Sequence, residues 1–349
     1  MTVENAKIAI YGAGAMGTVL GSLLTKGGLK NVHLITRNEA HVKGLNQTGA
    51  TLVCEAENKE LTIPVTALTP SEMQGKYDVV FLMTKQKNNG EILEFLLPYL
   101  GEESVVVTTQ NGLPEESVAN VVGKNRTYGA VASFGATFIG GGRVALTSKF
   151  DGMTMQIAGY ENDNAKTDFL VEILSHVGKA TGNENFIRRS ENLAGARWSK
   201  LAINAAFSGL SVVTGLTFGE IAKRRKTKRL ALLALRECMD VANALGVTLE
   251  KMQGHDIQKL LGSRGVFGTA FGLFALPIAM KKHKKLVSGM LKDVQSGRKC
   301  EIDFIDGVVV QKGKEAGVKT PICEKIVEIA HGIENGLYEI SYDNADFFE

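Results

Sequence analysis

The sequence predicts a two-part α/β chain, a parallel sheet flanked by helices and then an all-α second half. Three observations lead there. Short apolar runs alternate with helix-period segments through the first half, the pattern of strands joined by crossover helices. A glycine cluster, "YGAGAMG", follows the first apolar run and opens a helix pattern. From about residue 187 the apolar residues recur at helical spacing almost throughout.

The first strand is "KIAIY" (7–11), followed by a helix over about 15–26. "NVHLITR" (31–37) is the second strand. "YDVVFLMTK" (77–85) and "SVVVTTQNG" (104–112) are further buried strands, with a helix around 88–99 between them. "YGAVASFGATFIG", "GRVALTS" and "MTMQIAG" form a more antiparallel run to about residue 159, and a helix covers about 164–177. The turn-rich "ATGNENF" marks the boundary between domains 1–186 and 187–349. Helices are expected near 190–214, 217–245, 285–297, 302–316 and 321–336.

A chain of 349 residues has the bulk for about two domains. Its net charge of +3 gives no argument for nucleic acid. The second half, however, carries 25 basic against 18 acidic residues, which suits an anionic ligand. The basic runs "KRRKTKR" (223–229) and "KKHKK" (281–285) lack aromatic interleaving and read as solvated helix faces, so no nucleic-acid partner is expected. The four cysteines have neither zinc nor redox spacing; reduced thiols in a cytoplasmic protein, with no metal, are the simplest reading. The beginning "MTVENAKIAIYGAG" lacks the pattern of a secretory leader. The apolar stretch at 266–280 is too short to span a bilayer and holds Gly268, Gly272 and Pro277, so a buried or lid-like helix is expected and no membrane partner. A homodimer is the assembly allowed for.

The glycine cluster is the strongest functional signal. After a strand and at a helix start, Gly12 permits a tight turn, Gly14 lets a diphosphate approach, and Gly17 lets helix and strand pack closely. The segment Gly12, Ala13, Gly14, Ala15, Met16 and Gly17 is thus the expected cofactor loop of a Rossmann-type domain. The second strand ends in Thr36 and Arg37, without the carboxylate that binds an NAD ribose. Arg37 suits a 2′-phosphate, so NADPH is the expected cofactor. Lys85 and Asn111 end strands at the ligand edge of such a sheet and are candidates for nicotinamide ribose or substrate; a plain turn role competes.

In "WSKLAINAAFSGLS", Lys200, Asn204, Ser208 and Ser211 fall on one arc of a mostly apolar helix. A lysine there faces water, a partner or a ligand. Facing a cleft, Lys200 would donate to a substrate carbonyl as hydride arrives at carbon. Glu301, Asp303 and Asp306 open another helix, where the dipole alone accounts for them; a functional glutamate would instead pair with Lys200 or hold a substrate hydroxyl.

"YGAGAMG", "LMTKQK", "TTQNG", "RWSKLAIN", "GEIAK", "ECMDVANALGV", "GMLKDVQSGRKCEID" and "AGVKTP", in that order from about residue 7 to 335, resemble the ketopantoate reductase family. The resemblance implies NADPH-dependent reduction of the 2-oxo acid 2-dehydropantoate to pantoate, on the route to pantothenate and coenzyme A. It implies that Lys200 is the general acid, that Glu301 holds the substrate hydroxyl, and that Asn111 and Asn204 serve the substrate pocket. It makes Arg37 and Lys85 cofactor-side cations, and makes the polar helical face the substrate wall of an interdomain cleft. Some positions depart from the pattern. Ser208 replaces a second pocket asparagine; Gly289 occupies a serine slot, with Ser288 beside it; Asp306 stands where asparagine is common; and 262–285 is longer. These departures fit a reductase of another 2-oxo acid or an imine as an alternative. A dinucleotide-sensing, nucleic-acid-binding regulator is the remaining one.

Overall fold

A computed structural model describes residues 2–161, 164–252 and 255–348, with the side chains of Asn164 and Lys282 outside that set. The chain forms two compact units. One comprises Met1–Gln110 and Pro114–Leu193, the other Asn111–Leu113 and Ala194–Glu349.

The strands of the first unit are β1 (Ile8–Tyr11), β2 (Val32–Ile35), β3 (Ala50–Cys54), β4 (Lys59–Ile63), β5 (Thr66–Leu68), β6 (Tyr77–Leu82), β7 (Leu100–Thr108), β8 (Thr127–Ala132), β9 (Ala136–Gly140), β10 (Arg143–Leu146), β11 (Met155–Gly159) and β12 (Ile187–Arg189). The main sheet has the order β12-β11-β8-β7-β6-β1-β2-β5. From β8 through β5 every neighbouring pair is parallel. Parallel strands covered on both faces need apolar side chains throughout, and β1 and β8 are buried at every position. The helix Ala15–Lys26 sits close against β2: a Cβ on Gly21 would lie 2.8 Å from Leu34 Cδ1.

The structure redraws two expectations in this unit. The antiparallel run divides, because β8 and β11 extend the main sheet while β9 and β10 join β3 and β4 in a separate sheet. The boundary moves from 186/187 to Leu193, because Ile187–Arg189 pairs with β11 as an edge strand.

The second unit is helical. Ile302–Ala316 forms as expected, and Pro321–Glu334 ends two residues early. The 190–214 segment is Leu193–Asn204, a π-helical turn Ala205–Gly209, and Leu210–Thr214. The 217–245 segment breaks at Arg224, whose extended backbone separates Phe218–Lys223 from Arg225–Ala244. The expected 285–297 helix shortens to Gly289–Gln295. Phe207, Leu235, Ile302, Val309 and Ile326 are among the residues of its core, each stabilising the unit by about 1.5–3 kcal/mol through burial.

The apolar 266–280 segment is a helix, Gly265–Ala279, but it is not buried. Val266, Phe267, Phe271, Phe274 and Ile278 stand exposed, Phe267 at 91%. Its inner side is held by Arg236, which is buried and donates to the Leu261 carbonyl (2.8 Å), the Thr269 hydroxyl (3.1 Å) and the Ser263 carbonyl.

Candidate active site

The glycine turn follows β1. Gly12 has φ +103°, and a Cβ there would lie 2.5 Å from the Thr84 backbone nitrogen. The amides of Gly12 and Ala13 both donate to the Ile35 carbonyl, at 3.0 and 2.8 Å. These two residues therefore grip β2 and shape the turn, and their N–H groups are committed to it. Gly17 packs on Gly12, since a Cβ would meet the Gly12 carbonyl oxygen at 2.6 Å. Gly14 differs. Its φ is an ordinary −79°, and a Cβ would find no atom within 4 Å. Nothing in the protein's own packing calls for glycine there, and the open space leaves its backbone accessible to a ligand. The helix's first bond runs from Thr18 N to Gly14 O (2.9 Å), so the amides of Ala15, Met16 and Gly17 lead its positive end, with no acidic side chain in the first turn. The loop fits a dinucleotide diphosphate.

A buried relay backs the turn. His41 Nδ1 accepts from the Gly142 amide (3.1 Å), which leaves the proton on Nε2 to donate to Thr18 Oγ1 at 3.0 Å. Burial holds His41 below the ordinary imidazole pKa, consistent with a neutral ring. Sequence reasoning missed this pair, because Thr18 and His41 are 23 residues apart with no motif between them.

Arg37 is exposed just past β2, and its charge acts on the Tyr11 phenol at the end of β1. Burial, the larger effect, raises the Tyr11 pKa. Lys85, half-buried, precedes the short turn Gln86–Asn88. The buried Gln110 donates to the Thr84 carbonyl (2.8 Å) and to Asn89 Oδ1 (2.7 Å), and accepts from Asn89 Nδ2 (3.1 Å). This reciprocal amide pair ties the end of β7 to the residue before Lys85, and it too was missed. Asn111 is exposed and belongs with Leu113 to the second unit, whose core Leu113 contacts.

In the second unit the polar face is real but shorter than its sequence spacing implied. From Gly195 to Thr214, the residues that keep some exposure are Lys200, Ile203, Asn204 and Ser208. Ser211 is fully buried and donates to the Leu216 carbonyl at 2.8 Å, so it closes the helix end and leaves the stripe. The reason is the π-turn, whose wider winding breaks the 100° progression after Asn204. Burial brings the Lys200 ammonium down to a pKa of about 8, and Arg197 adds repulsion. Such a lysine holds a proton at neutral pH and releases it easily.

Glu301 occupies the N-cap position of Ile302–Ala316, yet its side chain does not cap that helix. The helix packs against the Ala205–Gly209 turn. Ser288 is buried and its hydroxyl caps Gly289–Gln295 by accepting from Met290 N at 3.1 Å. That bond gives it a structural task, with the O–H proton left to donate. A Cβ at Gly289 would meet open space.

The basic clusters serve the second unit in part: Arg224 lies over the Tyr342 ring (4.7 Å) and Lys226 pairs with Asp346. Among the described residues, no His, Cys, Asp and Glu cluster suits a metal, and no helix is long and apolar enough to cross a membrane.

Residues 8–158 match the family described as ketopantoate reductase PanE/ApbA, and residues 192–334 match its C-terminal part. A 2-dehydropantoate 2-reductase of Lactococcus lactis is 27% identical over 95% of this chain and 99% of its own. A similarly named Archaeoglobus fulgidus protein is 23% identical over 95% and 99%. Among solved structures, D-mandelate dehydrogenase with NADH and anilino(oxo)acetate superposes with TM-score 0.79 at 23% identity, covering 95% of this chain and 99% of that one. A PanE/ApbA family ketopantoate reductase from Ralstonia eutropha does so with TM-score 0.77 at 24% identity, over 95% and 99%. These two establish likeness of fold. With both parts matched in order across most of its length, the chain belongs to the ketopantoate reductase family.

Proposed function

We propose that this protein reduces 2-dehydropantoate to pantoate with NADPH, a step toward pantothenate and coenzyme A in the cytoplasm. The observation that carries this reading is Lys200, whose pKa is lowered to about 8 and which shares with Asn204 and Ser208 the exposed face of an otherwise buried helix. When bound, the reduced nicotinamide supplies a hydride to the keto carbon. The amides of Ala15, Met16 and Gly17 take the diphosphate, Arg37 takes the 2′-phosphate, and Lys85 and Asn111 hold the nicotinamide end. Lys200 donates its Nζ proton to the keto oxygen, which becomes the new hydroxyl. Asn204 and Ser208 orient the substrate, and Glu301 accepts from its existing hydroxyl. The test is NADPH oxidation with ketopantoate, run beside NADH and a panel of 2-oxo acids. Selective turnover of ketopantoate with NADPH is expected; cofactor binding with no turnover of it rules the substrate out.

A second reading, reduction of a different 2-oxo acid, is favoured by the open space at Gly289 and the short side chain of Ser208. The same panel separates the two. A dimer is the proposed assembly; one structural relative is described as a dimeric ketopantoate reductase from Staphylococcus aureus.

A further inference from the structure

Asp306 lies in the second turn of Ile302–Ala316, fully buried, and neither carboxyl oxygen has a hydrogen-bond partner in another described residue. Both oxygens occupy the space beside Gly209 where a side chain would begin, since a Cβ there would lie 2.5 and 2.8 Å from them. Gly209 closes the π-turn, and Ser208 is the residue before it. The titratable groups that act on Asp306 or feel it are Glu237 and Cys238 from Arg225–Ala244 and Cys323 from Pro321–Glu334. None is a cation. The Glu237 carboxylate is already engaged by the amides of Ile322 and Cys323, each at 2.9 Å.

An ionised carboxylate in this place would be buried with no donor beyond its own backbone N–H and no counter-charge, which is among the costliest arrangements in a protein interior. A protonated acid is neutral and has one O–H to give. A π-turn shifts the helical ladder by one residue, and a carbonyl at such a junction needs a donor.

We propose that Asp306 is a neutral carboxylic acid bracing the π-turn, a positioning residue that sets where Ser208 stands relative to Lys200 and Asn204. Burial raises its pKa well above the carboxylate range; its own backbone N–H opposes this and Glu237 adds to it. Its kinetic consequence rests on that helical face being the substrate wall; its protonation state does not.

The experiment compares wild type, Asp306→Asn and Asp306→Leu. Isotope-edited infrared spectra of aspartate-labelled protein at pH 7 should show a protonated-carboxyl C=O stretch that Asp306→Asn lacks. Its absence in wild type overturns the proposal, whatever the substrate is. A folded-state pKa above the unfolded value of about 3.9 makes the folded protein bind the extra proton, so this group's contribution to stability falls as pH rises from about 4. The Tm of Asp306→Asn should therefore gain on wild type as pH rises; a constant difference overturns the proposal. On the accepted substrate, Asp306→Leu should raise KM about tenfold or more with a smaller change in kcat, and Asp306→Asn should stay within about threefold of wild type. Equal KM in all three overturns the positioning role. Failure of every 2-oxo acid in wild type, with the infrared and Tm results intact, would instead remove the functional reading.

Discussion

Lys200→Ala is expected to lower kcat by about 10²–10⁴ while leaving NADPH affinity near wild type, measured by single-turnover kinetics and fluorescence titration. In the proposed role the lysine must be protonated, so kcat/KM for reduction should fall as pH rises through about 8, and that limb should vanish in the variant. Arg37→Ala should cut kcat/KM for NADPH about ten- to hundredfold, the worth of a charge-assisted hydrogen bond, and leave NADH unchanged. An equal loss with both cofactors would place Arg37 away from the 2′-phosphate. His41 gives a stability test. Burial lowers its folded pKa below the unfolded value of about 6.5, so its contribution is whole above pH 6.5 and is lost as pH falls below it. His33 is shifted in the same direction, by burial and then Lys7. His41→Gln should therefore flatten only part of the acid limb in Tm measured against pH.

At the scale of elements, legibility followed the strength of local signals. The helix Ala15–Lys26 was plain because its glycines sit where packing demands them: Gly17→Val would drive a side chain into the Gly12 carbonyl. That variant should lose about 1–3 kcal/mol by urea unfolding and bind NADPH more weakly. Ile302–Ala316 was plain because Gly297, at φ +68°, and Gly317, in the left-handed conformation, bracket it. The π-turn was hidden, since an apolar run reads alike in α and π winding, and Ser211 was misassigned with it. The second sheet was hidden too. Its strand β4, "KELTI", is mostly exposed, so no apolar period marks it, and the pairing that joins the sheet, β3 with β10, sets Thr51 against the distant Arg143. Of the candidate site, Lys200, Asn204, Ser208, Arg37 and the glycines were visible as residue types at telling spacings. Gln110–Asn89 and Thr18–His41 were not, because each pair exists only after folding.

At the scale of the molecule, Arg236 ties the 261–269 stretch to the long helix Arg225–Ala244 by donating to four of its oxygens. Arg236→Ala should leave those acceptors unpaired, cost about 2–3 kcal/mol, and open that stretch to limited proteolysis. The assignment of Asn111–Leu113 to the second unit has a consequence for biosynthesis. A ribosome delivers these three residues with the first unit, more than 80 residues before the helices whose core Leu113 joins. Until those helices emerge, Leu113 waits without its apolar neighbours. The nascent first unit should therefore fold with the loop at Asn111 unfinished, and arrest-peptide force profiling should register that loop settling late in translation.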